Sequence, residues 1–103
     1  MQEITPEEAA EMLKAGDVKL LDVREHAELE EAAVDGALHI PMGEIADRIG
    51  ELNPDEKLIV MCKMGGRSAM VVDYLASQGF TDVINMNGGI IGWATGVDAS
   101  VFK

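Results

Sequence analysis

Residues 57–79 read KLIVMCKMGGRSAMVVDYLASQG, and this stretch decides the fold. The apolar run 58–61 is typical of a fully buried parallel strand, and it stops at Cys62, the only cysteine of the chain. Gly79 stands where the C-terminal cap of a following helix is expected. Four apolar residues before it fall at helical spacing: Met70, Val71, Tyr74 and Leu75. The sequence therefore predicts a strand, a short glycine-containing turn and a helix, with the thiol at the C-terminal end of the strand.

The position of Cys62 favours a reactive thiolate. Ligands of open α/β sheets bind outside the carboxyl ends of the strands. The first N–H groups of a helix lack partners and the helix dipole adds partial positive charge, so the pKa of a nearby cysteine falls. Gly65 and Gly66 would let successive N–H groups face inward as an anion nest. Lys63 and Arg67 add positive charge, and an anion or a carboxylate is the expected partner of Arg67. The alternative is a buried structural cysteine beside a tight turn.

Composition limits the class of protein. With 103 residues, 48% of them hydrophobic and 26% charged, the chain is expected to form one globular domain over residues 1–103. A single cysteine excludes an internal disulfide. The 19 acidic and 8 basic residues give a net charge of −11, which argues against a nucleic-acid partner. The first residues, MQEITPEEAAEM, contain no apolar signal core, and no stretch reaches membrane-spanning length. We therefore expect no membrane association and a cytoplasmic protein, although an exported protein whose signal had been removed could look the same.

Strand-like and helix-like segments alternate along the chain. Strands are predicted at Ile4 and at residues 18–23, 37–40, 58–61 and 82–86. Helices are predicted from a capping box at residues 5–8 to Gly16, at residues 26–33 and 43–52, from the loop after Cys62 to Gly79, and at residues 90–96. This alternation implies right-handed crossovers and an α/β fold: a central parallel sheet of about five short strands with helices on both faces. The strand before Cys62 is the most apolar, so we expect it in the middle of the sheet. Residues 97–103 show no clear pattern.

Four separated motifs occur in order along the chain. They are DVRE at residues 22–25, GALHIP at 36–41, CKMGGRS at 62–68 and, at 88–93, a GG pair followed by Trp93. Through these motifs the chain, from residue 3 to about residue 98, resembles the single-domain rhodanese family of sulfurtransferases. Relatives often carry arginine or another polar residue at the positions of Lys63 and Gly66, so donor preference is open and Gly66 is expected to make the loop more flexible. Two further departures, Leu29 and the Ala32–Ala33 pair, are expected to concern packing.

The resemblance implies covalent sulfur transfer. Cys62 would be the nucleophile that takes a sulfane sulfur from thiosulfate or a persulfide donor and passes it to cyanide or a thiol acceptor. The negative charge of the outer sulfur would be bound by the backbone of the loop residues Lys63, Met64, Gly65, Gly66, Arg67 and Ser68. No metal or organic cofactor is required beyond the transient persulfide. Cys62 also has no histidine near it in the sequence that would complete a metal site.

Other polar residues receive supporting or structural roles. Asp22 ends its strand and could pair with Arg67 to hold the loop. Arg24 is predicted to pair with nearby acids, including Glu25, and the weaker interpretation is a surface ion pair. His26 and His39 are expected to be solvated or packed. Trp93 is expected to pack in the core or in a pocket wall.

Three alternative functions remain beside sulfur transfer. A phosphatase or arsenate reductase also places cysteine and arginine around an anion-binding loop. Four residues separate Cys62 from Arg67, however, whereas the related phosphatase loops enclose five and admit a tetrahedral phosphate. A non-catalytic rhodanese-like binding module is disfavoured because such modules usually lack the loop cysteine. A sulfur carrier for a partner protein is an intermediate case. The acidic surface suits a persulfide or a basic protein better than a free dianion. We expect a monomer, and a sulfur-relay protein is a candidate partner.

Overall fold

The computed structural model describes residues 1–103 and contains one sheet of five strands. In chain order the strands are β1 (Gln2–Ile4), β2 (Lys19–Asp22), β3 (Leu38–His39), β4 (Leu58–Met61) and β5 (Val83–Met86). Across the sheet their order is β1-β5-β4-β2-β3, and every neighbouring pair is parallel. The predicted α/β fold is confirmed, and β4, which leads to Cys62, is the middle strand.

Five α-helices and three 3-10 turns connect and follow the strands. The α-helices are α1 (Pro6–Ala15), α2 (His26–Glu31), α3 (Ile45–Arg48), α4 (Gly66–Ser77) and α5 (Gly89–Gly96). The 3-10 turns are Met42–Glu44, Ile49–Glu51 and Ala99–Val101. The helix predicted at residues 43–52 is therefore a short α-helix between two 3-10 turns. None of the helices combines the length and the apolar character needed to cross a membrane.

The middle strand β4 is buried on both faces. Its alternate side chains point to opposite sides of the sheet, so Leu58 and Val60 belong to one apolar cluster and Ile59 and Met61 to the other. The first cluster includes residues of α3 and α4, and the second includes residues of α1 and α5. Each fully buried aliphatic side chain contributes about 1.5–3 kcal/mol to the free energy of unfolding. The prediction of helices on both faces is confirmed, and Trp93 lies in the second cluster.

The ends of α1 follow the local sequence rules. Thr5 Oγ1 accepts a hydrogen bond from the N–H of Glu8 at 3.1 Å, and the N–H of Thr5 donates to Glu8 Oε1 at 2.9 Å. This reciprocal pair is the predicted capping box. The helix ends at Gly16, which has a left-handed φ of 92°.

The apolar residues of α4 divide between the core and the surface. Val71 and Leu75 are buried with Val72 in the first cluster. Met70 is 60% exposed, and with Tyr74 it lines a shallow groove against residues 42–46. The helical spacing was therefore correct, but only one side of this apolar face contributes to the core.

The C-terminal residues, which show no clear pattern in the sequence, pack against the end of α2. Val101 is buried, and the N–H of Ala33 donates to its carbonyl at 3.0 Å. Phe102 forms an isolated antiparallel bridge with Ala32, and the N–H of Lys103 donates to Glu31 at 2.9 Å. These partners are distant in sequence, so no local periodicity could indicate the contact.

Candidate active site

Cys62 lies at the carboxyl edge of the sheet, between β4 and the first turn of α4. The side chain is 1% exposed. Its Sγ accepts a hydrogen bond from the N–H of Gly65 at 3.0 Å and lies 3.3 Å from the Ser68 Oγ. The sulfur therefore lies inside the curve of the loop, where the sequence predicts it.

The surroundings of Cys62 favour the thiolate. Burial raises the pKa of the Cys62 thiol, but hydrogen bonds outweigh this effect. They come from the Ser68 hydroxyl, when it turns to the charged sulfur, and from the N–H groups of Ser68, Gly65 and Met64, and they bring the pKa below its ordinary value. The loop is thus a set of preorganised donors around one sulfur atom, which suits a nucleophile better than an inert core cysteine.

The two glycines of the loop differ in their roles. Gly65 has a left-handed φ of 113°, and a Cβ atom there would lie 3.5 Å from the backbone nitrogen of Gly88. The turn that brings its N–H to the sulfur therefore requires glycine. Gly66 is the first residue of α4, and a Cβ atom there would meet nothing within 4 Å. The prediction that Gly66 also shapes the nest is not supported by its surroundings, because it has ordinary helical backbone.

The start of α5 supports the loop from the other side. The N–H of Ile90 donates to the carbonyl of Cys62 at 2.9 Å, and the N–H of Ile91 donates to Lys63 at 3.2 Å. Gly89 lies so close that a Cβ atom would stand 2.3 Å from the Lys63 oxygen. The GG pair of the sequence is therefore needed because the helix N-terminus packs directly on the backbone of the loop. Lys63 and Met64 themselves present exposed side chains.

The partner of Arg67 is Glu28 on α2, and the predicted pair of Arg67 with Asp22 is wrong. Arg67 Nη1 and Nη2 donate to the two carboxylate oxygens of Glu28 at 2.6 and 2.8 Å. This bidentate bond lowers the pKa of Glu28 from 4.5 to about 2 and raises the pKa of Arg67. The guanidinium beside the loop is thus already neutralised by a carboxylate of the protein.

Asp22 pairs instead with Arg24, and the pair is buried. Both residues are 2% exposed. Arg24 Nη2 donates to Asp22 Oδ2 at 2.7 Å, and Arg24 Nε donates to Oδ1 at 3.0 Å. The predicted acidic partner Glu25 does not bind Arg24, and the weaker interpretation of a surface ion pair is also wrong. The buried guanidinium is satisfied by the Asp22 carboxylate and by two backbone carbonyls, those of Glu28 and Ala32.

The buried pair also positions α2. Arg24 Nη2 donates to the carbonyl of Ala32 at 2.8 Å, and Nη1 donates to that of Glu28 at 3.3 Å. Arg24 thereby ties the backbone of α2 to the end of β2. Because Glu28 lies on α2, the same contacts place its carboxylate against Arg67. Asp22 and Arg24 therefore support the loop indirectly, through a helix.

The two histidines pack against each other. His39 Nε2 lies 2.6 Å from the carbonyl oxygen of Arg24, and its ring is T-shaped against that of His26 with centroids 4.7 Å apart. This agrees with the packed role expected from the sequence. The structure contains no group of three or more histidine, cysteine or acidic side chains that could hold a metal ion.

Two residues beside the loop were not found from the sequence. Glu28 was missed because α2 carries several acids and nothing local distinguishes the one that faces α4. Asn85 lies in β5 and is 1% exposed, and its amide contacts both Ser68 and Gly65. A signal did exist for Asn85, because an asparagine inside the apolar strand VINM is a buried polar group that needs partners.

The Glu28–Arg67 pair predicts a pH dependence of stability. The pKa of Glu28 is depressed in the folded state, so its contribution is complete above about pH 4.5 and is lost as the pH falls toward about 2. We expect Glu28→Gln to lower the free energy of unfolding at neutral pH, and the difference from the wild type to shrink between pH 4.5 and pH 2. Urea unfolding at a series of pH values measures it. Glu30→Gln, an exposed change on the same helix, is the control, and a pH-independent difference for Glu28→Gln would contradict the prediction.

Comparisons with known proteins agree with this geometry. Residues 5–95 match the family model described as "Rhodanese-like domain". A putative sulfur carrier protein, YrkF of Bacillus subtilis, is 41% identical over 76 residues, which cover 74% of this chain but only 41% of that protein. The thiosulfate sulfurtransferase GlpE of Glaesserella parasuis is 35% identical over 88% of this chain and 84% of its own length. The crystal structure of a rhodanese-related protein from Thermoplasma volcanium superposes with a TM-score of 0.85 at 30% identity, covering 92% of both chains.

Proposed function

This chain belongs to the rhodanese-like domain family of sulfurtransferases and sulfur carriers, and we propose that it transfers a sulfane sulfur through a persulfide on Cys62. The observation that carries the proposal is the buried Cys62 sulfur, 3.0 Å from the N–H of Gly65 and inside a loop of hydrogen-bond donors. A thiolate in this position can act as a nucleophile. Its product, a persulfide with negative charge on the outer sulfur, is stabilised by the same hydrogen-bond donors.

The proposed reaction has two displacement steps. The Cys62 thiolate attacks the outer sulfur of thiosulfate, an S–S bond forms to Cys62, and sulfite leaves with the electron pair of the broken S–S bond. Cyanide or a thiolate then attacks the outer sulfur, and Cys62 leaves as a thiolate. Neither step needs an oxidant, a metal or an organic cofactor, because the donor supplies sulfur at the required oxidation level.

The hydrogen-bond donors of the loop support the proposed persulfide. The N–H groups of Met64, Gly65 and Ser68 act on the Cys62 sulfur. Gly65 has a left-handed backbone conformation, and α5 binds the carbonyls of Cys62 and Lys63. These hydrogen-bond donors are therefore in place before the sulfur donor binds. Such preorganisation costs no rearrangement when negative charge moves to the outer sulfur.

A sulfur carrier that receives its sulfur from a partner protein is the second candidate. Two observations favour the sulfur carrier. The net charge of the chain is −11, and the Arg67 guanidinium is already paired with the Glu28 carboxylate. Both reduce the attraction for thiosulfate, which is a dianion, while neither hinders a neutral thiol persulfide or a basic protein. The similarity to YrkF, whose name is that of a putative sulfur carrier, points in the same direction.

The intact mass of the protein tests the proposal. After incubation with thiosulfate we expect a gain of one sulfur, about 32 mass units, and cyanide should remove it. In parallel, the protein is incubated with a small-molecule persulfide that carries no net charge, cysteamine persulfide, whose ammonium group balances the persulfide anion. An adduct from the persulfide alone would favour the carrier, and no adduct from either donor would overturn the proposal.

Removing Arg67 should weaken the use of thiosulfate. Arg67→Ala leaves the Glu28 carboxylate beside the loop without its partner, so a negative charge then faces the donor. We expect the KM for thiosulfate to rise about tenfold, with a smaller change in kcat. The double variant Arg67→Ala/Glu28→Gln removes the exposed carboxylate as well and should recover part of the loss. An unchanged KM in Arg67→Ala would mean that the guanidinium is only structural.

A further inference from the structure

Asn85 is the buried polar residue that connects the sheet to the loop. Its Oδ1 lies 2.5 Å from the Ser68 Oγ, while its Nδ2 lies 3.2 Å from the carbonyl of Gly65 and 3.2 Å from Glu3 Oε2. Asn85 is 1% exposed and Ser68 is fully buried, so both hydrogen-bond only within the protein. Asn85 therefore contacts two of the residues whose polar groups lie against the Cys62 sulfur, although it does not touch the sulfur itself.

The orientation of the Asn85 amide is fixed by its partners. A backbone carbonyl and a carboxylate only accept hydrogen bonds, so the groups of Gly65 and Glu3 both require the NH₂ side of the amide. The carbonyl oxygen of Asn85 must then face Ser68. An oxygen of this kind only accepts, so the Ser68 hydroxyl must donate to it.

Ser68 has one hydroxyl hydrogen and two acceptors within reach. The distance from Ser68 Oγ to Asn85 Oδ1 is 2.5 Å, and the distance from Ser68 Oγ to the Cys62 Sγ is 3.3 Å. A single hydrogen cannot make good hydrogen bonds to both at once, and the shorter contact, to oxygen, is the stronger one. The lone pairs of Ser68 then face the sulfur, where they accept a hydrogen bond from a protonated Cys62.

We propose that Asn85 is a positioning residue that holds the hydroxyl hydrogen of Ser68 and so withholds it from the Cys62 sulfur. The inference rests on the proposed role of Cys62 as the nucleophile. Asn85 disfavours ionisation of Cys62, because the Ser68 hydroxyl must break its hydrogen bond to Asn85 before it can donate to a charged sulfur. It does not oppose the persulfide, whose negative charge lies on the outer sulfur. The free thiolate stays more basic, and a more basic thiolate is a stronger nucleophile.

Few charged groups surround Asn85, Ser68 and Cys62, and they come from several elements. Arg67 on α4 acts on the Cys62 charge, and its own charge is balanced by Glu28 on α2. Glu3 on β1 touches Asn85, and Lys63 projects from the loop. None of them is altered in the variants used below.

The pH dependence of alkylation of Cys62 by iodoacetamide tests the proposal. Asn85→Leu has a similar volume but no acceptor, so the Ser68 hydroxyl is free to donate to the thiolate. We expect the pKa of Cys62 to fall by about one unit in this variant. Ser68→Ala removes the hydroxyl, and because its hydrogen is held by Asn85 in the wild type, this change should not raise that pKa. In Ser68→Ala/Asn85→Leu, the shift of the pKa caused by the change at Asn85 should be much smaller than the shift it causes when Ser68 is present.

This double-mutant cycle separates positioning from a general loosening of the loop. Asn85→Leu also removes the hydrogen bond to the Gly65 carbonyl, but that loss acts equally with and without Ser68. Equal shifts of the Cys62 pKa in both backgrounds would overturn the proposal, as would a rise of the pKa in Asn85→Leu alone. The assay contains no sulfur donor, so its outcome is independent of whether Cys62 forms a persulfide.

A second measurement covers the case in which Asn85→Leu does not fold. In the proton NMR spectrum of the wild type, a hydroxyl held in so short a bond should give a slowly exchanging, downfield signal for Ser68. Cys62→Ala should leave that signal nearly unchanged, because Ser68 donates the hydrogen to Asn85 Oδ1 and not to the sulfur. An absent signal, or a large shift of it in Cys62→Ala, would overturn the proposal.

Discussion

The Cys62→Ser variant will take up no sulfur from thiosulfate or from a persulfide donor. The intact mass should stay that of the unmodified chain, and the rate of thiocyanate formation from thiosulfate and cyanide should fall by at least about a thousandfold, to the background reaction. The reason is that every step of the proposed cycle passes through one bond to the Cys62 sulfur, and the chain has no second cysteine to replace it.

The fold of Cys62→Ser should remain nearly unchanged. A hydroxyl is smaller than a thiol, and the N–H of Gly65, which lies 3.0 Å from the sulfur, can donate to an oxygen as well. Far-UV circular dichroism and the urea midpoint provide the control. Met64→Leu, an exposed change in the same loop, should form the persulfide like the wild type. Thiocyanate formation at the wild-type rate in Cys62→Ser would exclude the persulfide mechanism.

The sequence was sufficient for the fold because its signals were local and consistent. The run 58–61 is apolar on both faces, as a strand with helices on either side must be, and it is the middle strand. The capping box of α1 and its terminal Gly16 were equally local. The placement of Cys62 follows from the same logic, since a residue that ends a central parallel strand and precedes a helix must lie at the carboxyl edge of the sheet.

The ion pairs around the loop could not be predicted, because they depend on how α2 is placed. Asp22, Glu25 and Glu28 are all acids near the end of β2, and their order in sequence does not show which one faces α4. The structure resolves this through Arg24, which is buried rather than exposed and holds α2 by its carbonyls. Once α2 is fixed, Glu28 is the acid within reach of Arg67. The contacts of Asn85 were likewise hidden, because its partners come from β1, the loop and α4.

The pair of Asp22 and Arg24 links stability to the site. Arg24→Met should lower the free energy of unfolding by about 3–5 kcal/mol, because it leaves the Asp22 carboxylate buried without a partner. It also removes the donors to the carbonyls of Ala32 and Glu28, so α2 loses its attachment to β2. Urea unfolding followed by circular dichroism measures the change in stability.

Two further variants show whether the loss comes from the buried charge. Arg48→Met is the same substitution in an exposed ion pair with Glu44 and Glu51, and it should move the urea midpoint little. Asp22→Leu/Arg24→Met removes both charges and should recover part of the stability lost in Arg24→Met, since a buried pair replaced by apolar groups often costs little. The recovery should be incomplete, because the carbonyls on α2 remain without donors. A double variant no more stable than Arg24→Met would place the main cost in those lost backbone contacts, and the attachment of α2, rather than the neutralisation of Asp22, would then be the chief role of Arg24.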